Sequence, residues 1–176
     1  MITWDEAIKR GLHAKVFDNM VYFYGAKGCI LTEDTMNYLI QAEPGYWRGY
    51  TEKEIAQIKH NSLGKIGGDC SYFTGWVAGE DHCYSIGQFV HCTEKTRDLA
   101  AGKAGSLLFT TYGGEGRHVG RDIGYGYFLH MAWPSTDQNI EEGKAGIVLD
   151  KIIGGKISWE WSVLSDSIDY TGADNR

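Results

Sequence analysis

The sequence predicts an α+β domain whose N-terminal helices pack on a central antiparallel β-sheet built from the back half of the chain. Three observations carry that expectation. Up to about residue 105, apolar residues recur at spacings of three and four behind recognisable caps, the signature of helices. Beyond it, short β-branched and aromatic runs alternate with glycine turns, the signature of a strand meander. A length of 176 residues, 43% of them hydrophobic and 23% charged, suits one globular domain with a sizeable core. The domain is expected to span 1–171, with 172–176 a loose tail.

Thr3 and Glu6 form a capping box that opens a first helix, with Ala7, Ile8 and Leu12 as its apolar positions. Val16 to Tyr24 is aromatic and β-branched, and reads as extended or as a short turn into the core. Thr32 caps a second helix carrying Met36, Leu39 and Ile40, which Pro44-Gly45 stops. Thr51 and Glu54 are a second capping box, ahead of Ile55 and Ile58. After Gly67-Gly68 comes Asp69-Cys70-Ser71, then Phe73, Trp76 and Val77 at helical spacing, with Gly79 as the stop. Strands are expected at 106–111, 117–123, 127–130, 145–149 and 156–161. Gly113 to Gly116 forms a turn, and Gly124-Tyr125-Gly126 a tight hairpin.

Composition excludes several function classes. A formal charge of −6 without a long basic run argues against a nucleic-acid-binding surface. No apolar run approaches the ~18 residues of a membrane span. The start, Met1 to Glu6, lacks a basic segment followed by an apolar one, so no signal peptide is visible and synthesis in the cytoplasm is expected. Cys29, Cys70, Cys83 and Cys92 form no CxxC pattern, although Cys83 and Cys92 are open to pairing. His82-Cys83 and His91-Cys92 offer four N/S ligands, but adjacent pairs lack the CxxC or HxxxH spacing that lets a pair grip one ion, so no metal site is expected.

Chemistry centres on Cys70. In the first turn of a helix, unpaired backbone N–H groups and the positive end of the dipole favour a thiolate over the ordinary thiol of pKa ~8.5. A buried structural cysteine would read the same from this stretch alone. A nucleophile needs a base, and the base a group to fix its tautomer. His118 and His130 flank the hairpin, and counting inward from Gly124-Tyr125-Gly126 brings them roughly opposite one another.

Asp69-Cys70-Ser71, Leu107-Leu108-Phe109, and His118-Val119-Gly120 with Ile123 to Gly126 and His130 together resemble the NlpC-type cell-wall cysteine peptidases, papain-like hydrolases of peptidoglycan. The likeness covers roughly 16–25 and 66–133. It implies a papain-like fold, Cys70 as nucleophile, His118 as base and His130 as its orienting group, with no cofactor. It also implies substrate or oxyanion contacts at Asp69, Ser71 and Tyr72, and at Tyr22, because Tyr22 to Gly25 resembles an upstream active-site element. Peptidoglycan is the implied partner. A phage- or prophage-type lysin, reaching the wall through a holin or on a virion, is the implied setting.

Three departures mark this chain. Tyr72 stands where the family has glycine, putting a ring in the expected open cleft. Arg121-Asp122 replaces an apolar-aromatic pair, with one side chain facing the cleft or solvent. Residues 26–68 fill what is often a short loop, with a helical insertion over about 26–66 that is expected to wall the cleft. Two other readings share the site: an acyl or amide transferase working through the same thioester, and a catalytically silent wall-binding module. The oligomeric state is not readable.

Overall fold

The structure, a computed structural model, describes residues 1–17, 19–80, 85–92, 94–113 and 115–174, and the side chains of all of these but 86, 91, 112 and 115. Strand β1 (Ile2–Thr3) leads into helix α1 (Trp4–Val16), and the Thr3/Glu6 capping box forms as the sequence predicts. The buried side of α1 is Ala7, Ile8, Gly11 and Ala14, whereas Leu12, expected inside, is 38% exposed. Gly11 decides this: a β-carbon there would stand 3.1 Å from Leu129, so the core closes directly on the helix backbone.

Strand β2 (Met20–Tyr22) realises part of the stretch expected to be extended, whose first residue, Val16, instead ends α1, and β3 (Lys27–Ile30) follows. Next come α2 (Glu33–Ala42, capped by Thr32), α3 (Pro44–Trp47) and α4 (Glu52–Ser62, capped by Thr51 with Glu54). Pro44 does end α2, but it also opens α3, where its missing N–H costs nothing. Strand β4 (Ile66–Gly68) returns to pair with β2 in parallel and with β3 antiparallel. The insertion is therefore a strand and three helices rather than helical throughout. Its core is Phe23, Leu31, Met36, Trp47 and Ile58, all at most 1% exposed.

β4 runs through Asp69 into α5 (Cys70–Ala78), and Gly79 ends that helix at φ +70. Phe73 and Val77 are fully buried against Leu129 and Met131. Burial of each such side chain contributes about 1.5–3 kcal/mol, which anchors the helix. Helix α6 (Ser85–His91) and strand β5 (Lys95–Thr96) lead to the meander: β6 (Leu107–Tyr112), β7 (Glu115–Gly124), β8 (Tyr127–Ala132), α7 (Asp137–Glu141), β9 (Gly146–Lys151), β10 (Trp161–Val163) and β11 (Ile168–Asp169).

Six of these strands form an antiparallel sheet in the order β5-β10-β6-β7-β8-β9, while β11 pairs in parallel with β1. This is the expected α+β architecture, helices on a central antiparallel sheet. Two boundaries differ. Glu115 and Gly116 belong to β7 rather than to the preceding turn. The strand expected at 156–161 lies instead at Trp161–Val163, because Trp159 turns into the core and the Glu160 carboxylate bonds the Thr111 N–H and hydroxyl at 2.9 and 2.6 Å. Toward the C-terminus, the Ala104 N–H donates to the Asp174 carbonyl at 3.4 Å. No helix among the described residues is long and apolar enough to cross a membrane.

Candidate active site

Cys70 is the first residue of α5 and is 9% exposed, set among Phe89, Leu107, Phe109, Val119 and Val163. A helix N-terminus was expected to favour the thiolate. Instead burial, with the Asp69 carboxylate adding to it, pushes the thiol up to about 12. The backbone N–H groups of Val119 and Ser71 and the Lys27 ammonium work in the opposite direction. Desolvation of a nearly enclosed sulfur outweighs the helix end. In the resting structure Cys70 is a thiol.

Asp69 caps α5, accepting from the Tyr72 N–H at 2.9 Å and from the Ser71 hydroxyl at 2.8 Å on one carboxylate oxygen. Its other oxygen takes the Lys27 ammonium at 2.7 Å, and Lys27 also reaches the Ser71 hydroxyl at 2.9 Å. Gln88, on α6, donates to the Ser71 carbonyl at 3.2 Å and accepts from Thr74 at 3.2 Å. Lys27 and Gln88 escaped the sequence reading, since neither lies in a motif.

His118 and His130 are brought together. Their rings meet at 2.9 Å, His118 Nε2 to His130 Nδ1. The β7–β8 register pairs Arg121 with Leu129 and Asp122 with Phe128, so His130 faces Gly120, one pleat from His118. Gly120 is required there: a β-carbon would stand 3.0 Å from Trp159 and 3.2 Å from the His130 β-carbon. Arg117 is the extra residue of a bulge against β6, a device that re-aims side chains next to sites. Trp159 stacks on His118 at 5.7 Å and 16°, while Phe128 and Trp133 wall His130. Burial accordingly lowers His118 to about 4, against a raising effect of the Asp69 carboxylate. Burial and neighbouring His118 hold His130 well below its usual value, and its Nε2 has no hydrogen-bond partner among the described residues.

Cys70 meets the strand that carries His118 through that strand's backbone. Val119, the residue after His118, meets Cys70, and among the hydrogen bonds of the described residues none joins Cys70 to His118. Tyr22 is buried on β2, its hydroxyl pairs with that of Tyr46, and Tyr46 pairs with Tyr50 at 3.0 Å. Tyr24 stacks on Tyr46 at 4.2 Å. Burial raises Tyr22 strongly, with Tyr46, Cys70 and Asp69 adding to it.

Tyr72 does not stand open in a cleft. It is 7% exposed and lies over β3 and β4, where a β-carbon on Gly28 or Gly68 would fall 2.3 or 2.6 Å from its ring system. Arg121 and Asp122 face neither cleft nor solvent, being 1% and 0% exposed. Arg121 donates to the Gly105 and Thr74 carbonyls at 2.7 Å each, tying the sheet to α5, and Asp122 accepts from the Gly124 N–H at 2.7 Å inside the hairpin.

Among the described residues no cluster of His, Cys, Asp or Glu could hold a metal ion. His82, Cys83 and the His91 side chain lie outside them, so the His82/Cys83/His91/Cys92 arrangement and any Cys83–Cys92 pairing do as well. Of that group, Cys92 is buried, and burial followed by the Asp166 and Glu80 carboxylates raises it to about 11.

No protein-family model matches the chain. No curated protein matches it either. Among solved structures, it is similar to the crystal structure of the NlpC/p60 domain of peptidoglycan hydrolase SagA, at 25% identity and a TM-score of 0.43, over 55% of this chain and 76% of that one.

Proposed function

We propose that this chain is a cysteine amidohydrolase of bacterial peptidoglycan, cleaving an amide bond of the stem peptide or cross-bridge through a Cys70 thioester. The observation that supports it most is the placement of Cys70, at the head of α5 and against the backbone of β7, next to a His118 locked at 2.9 Å to His130. Charging either group alone is opposed by burial. Moving one proton from Cys70 to His118 charges both at once, and their attraction offsets the cost. Bonds of this kind are often long before substrate binds and tighten in the complex.

The reaction requires the tautomer in which His118 Nε2–H donates to His130 Nδ1, leaving His118 Nδ1 bare to take the thiol proton. His130 then carries its hydrogen on Nε2, within a wall of indole rings standing at 84–85° to it, where an N–H can point at a π-face. Cys70 sulfur attacks the carbonyl carbon, and nearby backbone N–H groups hold the oxyanion. The C–N bond breaks as His118 returns the proton to the leaving amine. Water, deprotonated by His118, then hydrolyses the thioester and releases the acid and the free thiol.

Peptidoglycan as substrate rests on the resemblance of the Asp69–Ser71 and His118–His130 blocks. The insertion between β3 and β4 favours a phage- or prophage-type lysin, delivered by a holin or on a virion. A Tyr72 ring filling the cleft would favour the silent binding module, but the ring packs over the small sheet instead. The test is release of new amino groups from purified sacculi. Wild-type protein is expected to release them and Cys70→Ala not to, and equal release by both ends the reading. An added amine acceptor that captures the acyl group in place of water would identify a transferase.

A further inference from the structure

We infer that Lys27, supplied by the insertion, is a positioning residue that neutralises the cap of the nucleophile's helix so that the Cys70 sulfur can carry charge. The inference rests on the reading of Cys70 as nucleophile. Asp69 is needed as the cap of α5, because it satisfies the Tyr72 N–H. The same carboxylate puts a negative charge on the residue preceding the sulfur, where it opposes a thiolate. A helix dipole of about half an elementary charge does not cancel a full carboxylate at that distance.

Lys27 does, by sitting on Asp69 at 2.7 Å and on Ser71 at 2.9 Å, with its side chain 23% exposed. Backbone geometry aims it there. The β3–β4 register slips between Lys27 and Cys29, and the residue in the slip, Gly28, lies at φ +81. Only glycine fits that position twice over, since the Tyr72 hydroxyl would stand 2.3 Å from a β-carbon. Tyr72, Gly28 and Lys27 thus form one unit, in which the ring from α5 seats the bulge and the bulge delivers the ammonium to the cap of α5.

The charged and titratable groups around the sulfur are Asp69 from its own helix end, Lys27 from β3, Tyr22 from β2, Tyr24 beyond it and His118 from β7. Cys92 lies across the apolar cluster. Among the described residues Lys27 is the cation that acts directly on Cys70, and it pulls the thiol down.

The experiment is the pH dependence of Cys70 alkylation by iodoacetamide, followed by peptide mapping between pH 6 and 10, which requires no substrate. Lys27→Met is expected to move the profile to higher pH by about one unit, a ~tenfold slower labelling at any pH on its rising limb. Lys27→Gln keeps a donor for Asp69 without the charge and is expected to shift equally, while Lys27→Arg restores the wild-type profile. Adding Asp69→Asn to Lys27→Met removes the opposed charge and reverses the shift. A wild-type profile in Lys27→Gln, with circular dichroism unchanged, overturns the inference. Sacculus hydrolysis is scored separately, so a shift without hydrolysis supports the role of Lys27 and removes the substrate reading instead.

Discussion

At the head of α5, Asp69, Ser71 and Lys27 satisfy one another, whereas on β7 and β8 the two imidazoles have each other and otherwise aromatic rings. Both regions are desolvated, and in both burial is the first cause of the shifted titration. The difference is in what remains when a charge arrives. Near Cys70 a counter-charge and two N–H donors are already in place. Among the described residues, His118 has the Asp69 carboxylate alone acting in its favour. Burial therefore opposes charge at both ends, but more of the groups that offset it stand at the sulfur than at the imidazole.

The hardest test of that contrast removes the proposed base. His118→Ala is expected to lower turnover of sacculi or a soluble stem peptide by about 10²–10⁴. His130→Gln, which keeps a hydrogen-bonding group in reach, is expected to retain measurable activity, with His130→Ala between the two. Wild-type activity in His118→Ala would break the assignment.

Next in size is acid stability. The folded state holds His118 at about 4 against an ordinary 6.5, and His130 is displaced in the same direction. As pH falls below ~6.5 the unfolded chain takes these protons first, so stability is full above that value and declines until the folded His118 also protonates near 4. The expected loss is on the order of 3 kcal/mol for His118. Urea denaturation at pH 7.5, 5.5 and 4.5 measures it, and His118→Gln should flatten the decline. Flat stability in the wild type would show that the imidazoles are solvated.

Trimming the aromatic wall is a smaller step. Trp159→Phe uncovers part of the His118 face and is expected to raise its titration by ~1 unit, read by histidine NMR or by the acid limb of the activity profile. An unmoved titration would assign the depression to His130 and the surrounding sheet. Smallest is Thr51→Ala, which breaks the α4 capping box for about 1 kcal/mol of stability. It is expected to lower the melting temperature and leave the Cys70 alkylation profile unchanged, which separates loss of stability in the insertion from loss of the Lys27 contact.

Local signals were legible in the sequence: the Thr3/Glu6 and Thr51/Glu54 boxes, the Thr32 cap, the helix from Cys70 to its Gly79 stop, and the β7–β8 hairpin. Each depends on residues a few positions apart, because caps and turns are closed by neighbouring backbone groups. The His118–His130 pairing was legible for the same reason, since a tight hairpin converts sequence distance into register. Only the tertiary structure decided the rest. Lys27 meets Asp69 from 42 positions away, and Arg121 meets Thr74 from 47. Trp159 closes on His118 from a segment that reads as strand. Motif type placed Cys70 at a helix N-terminus, but its titration followed the apolar neighbours that packing put around the sulfur. Desolvation belongs to the assembled core, and no local run of residues carries it.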